Sequence, residues 1–377
     1  MQSSASPATG ISSGPATLKT IAHPGWVESQ ITLQEPADEP AIRSALERLP
    51  DGGAESVLGV DLFGTHAQIS RMESSVRRAG IAAPVTAVVS TSPTGGGLQM
   101  AAASGIERTP LFLDGEIAGY LLEDAEARHC ILGGLRPRDA RASREKQTEE
   151  VFSSIEKTLA LAGMGFEHVV RTWFYNEKIL DWYAAFNSVR TGYFTRHGIR
   201  RMPASTGIGA PNPAGTALVA KALAVRPADG GTRIRLVRSP LQCDAFAYGS
   251  AFCRALEVAD SRSRTLYISG TASIEPGGKS ARQGDPAGQI GLTMDVVRGI
   301  LDEAGMKIDD VTRAIAYFRD PAHLPLWQDY CRLLPPLPLV SVGCHVCRED
   351  LLFEIELDVS RSLPAGRTEQ GAVKLII

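Results

Sequence analysis

The run Leu351-Leu352-Phe353-Glu354-Ile355-Glu356-Leu357 alternates between apolar and acidic residues. A strand turns successive side chains to opposite faces, so Glu354 and Glu356 share one face with Leu352 while Phe353, Ile355 and Leu357 take the other. Two readings follow. On an edge strand such a face is solvated, the usual place for glutamate. Turned into an apolar pocket, a carboxyl stays protonated at neutral pH and can act as a general acid. Cys347 stands seven residues before Glu354, within Cys344-His345-Val346-Cys347. A zinc site of that spacing needs a second ligand pair, and none stands at finger or ribbon spacing. A redox pair of this kind opens a helix, whereas this run alternates like a strand. The expectation is reduced, mostly buried thiols, no metal and no cofactor.

Other motifs carry less. The histidines form no cluster and no HExxH pattern. Gly10-Ile11-Ser12-Ser13-Gly14 has nucleophile-elbow spacing but lies in a Ser/Ala/Pro/Gly-rich stretch without a preceding strand. Gly95-Gly96-Gly97 lacks the Lys-Ser/Thr of a phosphate loop and reads as a plain loop. Trp173, Trp182 and Tyr183 fall in helix and strand patterns and read as core.

The 377 residues suit two or three domains, and 44% hydrophobic with 21% charged residues is the composition of a globular chain. Lys+Arg of 39 against Asp+Glu of 42 leaves a net charge of −3, so no general attraction to nucleic acid is expected. No apolar run reaches the roughly 20 residues of a membrane helix, so no membrane partner is expected either. Met1 to Pro15 has neither a basic n-region nor an apolar h-region, so it does not read as a secretory signal and a cytoplasmic protein is expected.

The elements that must place Glu354 occur twice. Gln147, Gly163, Arg171 and Tyr175 recur as Gln289, Gly305, Arg313 and Tyr317, the second number exceeding the first by 142 throughout. Val151, Ile155, Leu159 and Ala162 keep helical spacing up to Gly163, as Met294, Val297, Leu301 and Ala304 do up to Gly305. A strand follows in each copy, at 169–175 and 311–318, then an amphipathic helix at 179–194 and 324–334, and a closing strand at 217–225 and 351–359. Hairpin-like stretches, 110–135 and 252–274, come first. The unit reads β-β-α-β-α-β, an α+β fold with both helices on one face of a mixed sheet. The expected layout is a flexible tail at 1–20, an N-terminal segment at 21–108, a first unit at 109–230 and a second at 238–377. In the N-terminal segment, 56–63 and 84–91 look like strands with a helix near 72–79 between them.

Ile268-Ser269-Gly270-Thr271 and Phe353-Glu354-Ile355-Glu356 resemble motifs of the Rid (RidA/YjgF) superfamily. From about residue 110 the chain resembles the chorismatase family, which carries two such domains in tandem. The runs that carry the resemblance are Leu132-Gly133-Gly134-Leu135-Arg136-Pro137, Val170-Arg171-Thr172-Trp173-Phe174-Tyr175, Phe186-Asn187-Ser188-Val189-Arg190-Thr191, Pro203-Ala204-Ser205-Thr206-Gly207, Ser239-Pro240-Leu241-Gln242 and Tyr248-Gly249-Ser250. They span about two-thirds of the chain. The resemblance implies tandem RidA/YjgF-like units and cleavage of chorismate, a dianionic enol ether, to pyruvate without metal or redox cofactor. Rid units trimerise around shared clefts, so the N-terminal segment, as a candidate degenerate third unit, would allow a pseudo-trimer within one chain. Whether the protein is a monomer or a homo-oligomer stays open.

Roles follow from the same resemblance. Glu354 is implied as the proton donor to the enol-ether methylene. Cys347 resembles the cysteine of the branch that forms 3-hydroxybenzoate, and would assist aromatisation. Two substrate carboxylates call for cationic forks and neutral donors. Arg254 and Arg319 are the leading candidates, with Tyr248, Ser205 and Thr206 as donors; Arg190 and Arg171 bind substrate or form structural ion pairs. Gln147 and Gln289 are expected to hold helix starts. The leading expectation is a 3-hydroxybenzoate-forming chorismatase. Alternatives are the hydrolytic dihydrodiol product or mixed 3-/4-hydroxybenzoate and, in other classes, an imine deaminase or a non-catalytic ligand-binding protein.

Overall fold

In a computed structural model of the chain, residues 16–244 and 251–363 are described. They form three mixed sheets. The first is built from β1 (Thr17–His23), β2 (Trp26–Gln34), α1 (Glu39–Leu46), β3 (Val57–Gly64), α2 (His66–Arg78), β4 (Val85–Val89) and β5 (Gly97–Ser104). The second contains β6 (Thr109–Leu113), β7 (Glu116–Glu123), β8 (Ala127–Leu135), α3 (Arg144–Leu161), β9 (Val169–Asn176), α4 (Ile179–Arg196), β10 (Ala204–Gly209) and β11 (Leu218–Pro227). The third contains β12 (Arg233–Val237), β13 (Ala255–Ala259), β14 (Ser263–Ala272), α5 (Pro286–Ala304), β15 (Val311–Phe318), α6 (Leu324–Cys331), β16 (Leu339–Gly343) and β17 (Phe353–Ser362).

The second and third sheets share one topology, β6-β7-β8-β11-β9-β10 and β12-β13-β14-β17-β15-β16. The first, β1-β2-β5-β3-β4, has the same order without the outermost strand. In each, the closing strand lies antiparallel in the middle, and a short strand runs parallel at one edge. The sequence pattern missed those short parallel strands, β4 excepted, and the outer strand β12, and the stretch 110–135 that it reads as a hairpin holds three strands, β6, β7 and β8. It also ran the tail to residue 20, whereas Thr17 to Thr20 pair with Thr32 to Ser29. β12 lies in the gap left between the two expected units and pairs with β13.

The repeated helices start and stop for the same reasons. Ser143 caps α3 and Asp285 caps α5, each accepting a backbone N–H from the first turn. Gly163 and Gly305, both at φ 65°, end those helices in the left-handed region that glycine enters freely. Gln147 and Gln289 do the same job twice. Each side-chain amide N–H donates to loop carbonyls, and each Oε1 accepts the N–H of Ala217 or Leu352 beside the closing strand. Each sheet has its own apolar core, and a further core lies between the sheets. There the repeat-related Tyr175 and Tyr317 meet hydroxyl to hydroxyl at 3.3 Å, and the Phe63 ring lies edge-on to Tyr175. No helix among the described residues is long and apolar enough to cross a membrane.

Candidate active site

β17 alternates as its sequence requires. Phe353, Ile355, Leu357 and Val359 join the core with Met294 and Trp327, and Glu354, Glu356 and Asp358 take the other face. That face is buried, not solvated. Glu356 is fully buried: its Oε2 accepts from Arg171 Nη2 at 3.1 Å, and its Oε1 accepts from Arg313 Nη1 and Trp173 Nε1, both at 2.9 Å. Arg313 also faces Asp358 at 3.5 Å and Asp61 of the first sheet at 3.4 Å, and Asp61 pairs with Lys221 of the second. Three cations and three carboxylates from all three sheets thus neutralise one another. Burial alone would raise the Glu356 carboxyl, but Arg313 and Arg171 hold it below the usual range. Arg171 is therefore a structural ion-pair member.

Glu354 lies one alternation away, in a separate cavity of about 500 Å³ between the second and third sheets. One wall is Ser205 and Gly207 of β10 with Tyr183 and Arg190 of α4; the other is Arg254, Gly270, Cys347 and Arg348. Glu354 is 4% exposed and its carboxyl is pushed up to about 8, first by burial and then by the charge of Glu356, against the opposing pull of Arg254 and Arg171. It is therefore mostly a neutral acid at pH 7. The bulge between Ile268 and Thr271 places Gly270 against it. A Cβ on Gly270 would collide with Glu354 Oε1, so the missing side chain is the space the carboxyl occupies. Burial likewise pushes the Cys347 thiol up to about 12, with Glu354 adding to the shift, so Cys347 enters the cavity as a thiol.

The cationic groups sit around this acid. Arg190 is buried on α4, donates to Asn187 Oδ1 at 2.6 Å and lies over the rings of Phe186 and Phe252. Arg254, just before β13, donates Nε–H to Cys243 O at 3.0 Å and stacks on Phe252. Arg348 donates to Gly278 O at 2.8 Å.

The sequence expectations fare unevenly. Glu354, Cys347, Arg254, Arg190 and Ser205 come together. Thr206 does not join them: strand alternation turns it to the other face, where its hydroxyl accepts from Arg171 and Gly270 N and hydrogen-bonds Glu356. Arg319 is not among the lining residues; it follows β15, donates its backbone N–H to Leu352 O at 3.1 Å and stays partly exposed. Tyr248 lies outside the described residues. Tyr183, read as core, lines the cavity, while Trp182 is buried as expected. Arg348 was missed. Cys344 to Cys347 form a loop, not a strand, since β16 stops at Gly343. A second cavity, about 730 Å³, lies among Asp61, Lys221, Arg313 and Asp358, but those charges are committed to one another.

The family model described as Endoribonuclease L-PSP matches residues 133–220. A search of curated proteins finds no match. Among solved structures, a putative endoribonuclease L-PSP from Entamoeba histolytica is 18% identical, with 34% of this chain and 100% of that one covered and a TM-score of 0.30. RidA from the Antarctic bacterium Psychrobacter sp. is 18% identical over 33% of this chain and 98% of that one, at 0.28. By its sheet topology and the family-model match, the chain has an α+β fold of the RidA/YjgF-like class, in tandem units. A crystal structure of a chorismatase shares that fold at full length: 20% identity, 93% of this chain and 100% of that one, TM-score 0.61.

Proposed function

We propose that the Glu354 cavity cleaves chorismate to 3-hydroxybenzoate and pyruvate. One observation carries the reading: a carboxyl that burial keeps protonated faces a cavity lined by three arginines. A dianionic substrate needs the guanidinium groups of Arg190, Arg254 and Arg348, and an enol ether needs the acid. Glu354 donates its proton to the methylene carbon, leaving an oxocarbenium ion at the ether carbon. The ring 4-hydroxyl oxygen then attacks C3 and releases its proton, the C3–O bond to the side chain breaks, and pyruvate leaves with that oxygen. Opening of the resulting epoxide at its C4–O bond and loss of the C3 proton give the aromatic product. No water is consumed. Cys347, as a thiol beside Glu354, relays the proton in that opening. Tyr183 and Ser205 supply neutral donors.

The match to a chorismatase fold supports this reading, and the strand order that the N-terminal sheet shares with the other two supports reading that sheet as a degenerate third unit. The test is incubation of the purified protein with chorismate alone. Pyruvate and 3-hydroxybenzoate in equal amounts are expected. Pyruvate with a non-aromatic diol would keep Glu354 and remove the role of Cys347; untouched chorismate would overturn the reading.

A further inference from the structure

Three backbone contacts ring the junction of the sheets at equivalent places. β4 ends at Val89, whose N–H donates to Pro211 O at 2.9 Å, two residues past the end of β10. β10 ends at Gly209, which meets His345, two residues past the end of β16. β16 ends at Gly343, whose carbonyl accepts the N–H of Thr91 at 2.9 Å, two residues past the end of β4. Each short parallel strand clasps the chain that leaves its counterpart in the next sheet.

The three clasps are unequal. Pro211 has no N–H to return. Gly209 and His345 exchange both bonds, Gly209 N–H to His345 O at 2.7 Å and His345 N–H to Gly209 O at 2.9 Å, the closed pair of an antiparallel ladder. This doubly bonded clasp is the one beside the Glu354 cavity. Ser205 and Gly207 line the cavity at two-residue steps before Gly209, and Cys347 lines it two residues after His345. The fit leaves no slack. A Cβ at Gly209 would stand 2.5 Å from Ile179 Cγ2, 2.7 Å from His345 Cβ and 3.1 Å from His345 O. Past the clasp, Val346 is buried with Ala272, Ile274 and Leu351, and Arg348 is tied to Gly278 O. One strand of the second sheet thereby fixes where a loop of the third presents its thiol.

We propose that the Gly209–His345 clasp positions Cys347 against Glu354 and so sets which product the cavity releases, a role that rests on the functional reading above. Gly209 and His345 are positioning residues; neither lines the cavity. In Gly209→Ala the added methyl presses on the His345 backbone and on Ile179 and moves the loop that carries Cys347, while Glu354 and Arg254 stay in place. Pyruvate release from chorismate should persist, while the ratio of 3-hydroxybenzoate to diol falls at least about tenfold, within the roughly hundredfold that a 1 Å misplacement can cost. Hydrogen exchange reads the clasp itself. The His345 amide of the wild-type protein should exchange as slowly as the amides of β16, and lose that protection in the variant. His345→Pro removes the N–H returned to Gly209, together with the imidazole and the freedom of φ at that position, and serves if Gly209→Ala does not fold; the same shift in product ratio is expected. An unchanged ratio in a variant that has lost protection overturns the inference, as does a wild-type His345 amide exchanging like an exposed loop. A wild-type protein that leaves chorismate untouched overturns the functional reading, and this inference with it.

Discussion

The closing strands β11 and β17 occupy the same place in two copies of one scaffold and do opposite things. Val219 stands opposite Tyr175 where Glu354 stands opposite Tyr317; Lys221 stands opposite Trp173 where Glu356 stands opposite Ile315. The backbone pairing is shared, so the scaffold does not dictate an acid. Three buried acids in β17 became tolerable because Arg171 and Arg313, related by the repeat, both converge on Glu356, and Arg313 also faces Asp358. Duplication supplied two cations around one anion, and Glu354 is left as the unneutralised acid at the edge of that network.

The largest effect should come from Glu354→Gln, which keeps the shape and removes the proton. Turnover of chorismate should fall by about 10²–10⁴-fold in a steady-state assay, with the fold retained. The linkage has a definite sign. A carboxyl raised from 4.5 to about 8 favours the folded state fully below its unfolded value, and that contribution is lost as pH rises through about 8. Thermal denaturation above pH 8 should therefore find Glu354→Gln at least as stable as the wild type. Loss of activity through unfolding would contradict the assignment.

Glu356→Ala sharpens the contrast from the other side. It strands Arg171 and Arg313 without their shared carboxylate and should cost about 3–5 kcal/mol in denaturant unfolding. A stability within 1 kcal/mol of wild type would mean the cluster is not what makes β17 tolerable.

The paired glycines separate scaffold from chemistry. Gly134 and Gly270 occupy matching positions beside the bulges of β8 and β14. Gly134 has φ +63° and lies against Val85 O, so Gly134→Ala should lower stability by about 1–2 kcal/mol. Gly270→Ala presses on the Glu354 carboxyl and should lower kcat about tenfold or more with a smaller loss of stability. Equal effects on both quantities would erase the distinction.

The smallest effect lies at the hairpin ends that join the three sheets. His23 contacts Asp260 at 2.6 Å and Glu28 at 3.3 Å, and its ring stacks on Trp26, which donates to Asp124. Burial opposes its charge, but the hydrogen bonds to Asp260 and Glu28 prevail and raise it to about 9. The contribution to stability is complete below pH 6.5 and is lost as pH rises through about 9. His23→Gln should flatten the fall in melting temperature between pH 7 and 9.5; an unaltered slope would place the transition elsewhere.

Much of this was legible in the sequence. The offset of 142 residues exposed the repeat, and the alternation of residues 351–357 put Glu354 and Glu356 on one face. Burial of that face was not legible, because it depends on Arg171 and Trp173, some 180 residues away. Thr206 parts from Ser205 because successive residues of β10 face opposite ways, and a six-residue strand without a polar–apolar alternation leaves little signal in the sequence. Tyr183 had a usable signal: it stands seven residues before Arg190, two turns along the same face of α4. The hairpin of β1 and β2 also had one, Pro24-Gly25 between two alternating runs. Arg348 had none beyond adjacency to Cys347, since a loop residue's direction is set by what anchors it, here Gly278 O.

The most direct test is the pH dependence of kcat/KM for chorismate between pH 5 and 10. A general acid of pKa about 8 in Glu354 gives a plateau at low pH and a tenfold fall per pH unit beyond about pH 8, and that limb disappears in Glu354→Gln. A rate that rises with pH, or a limb that survives the substitution, would contradict the assignment of Glu354 as the acid.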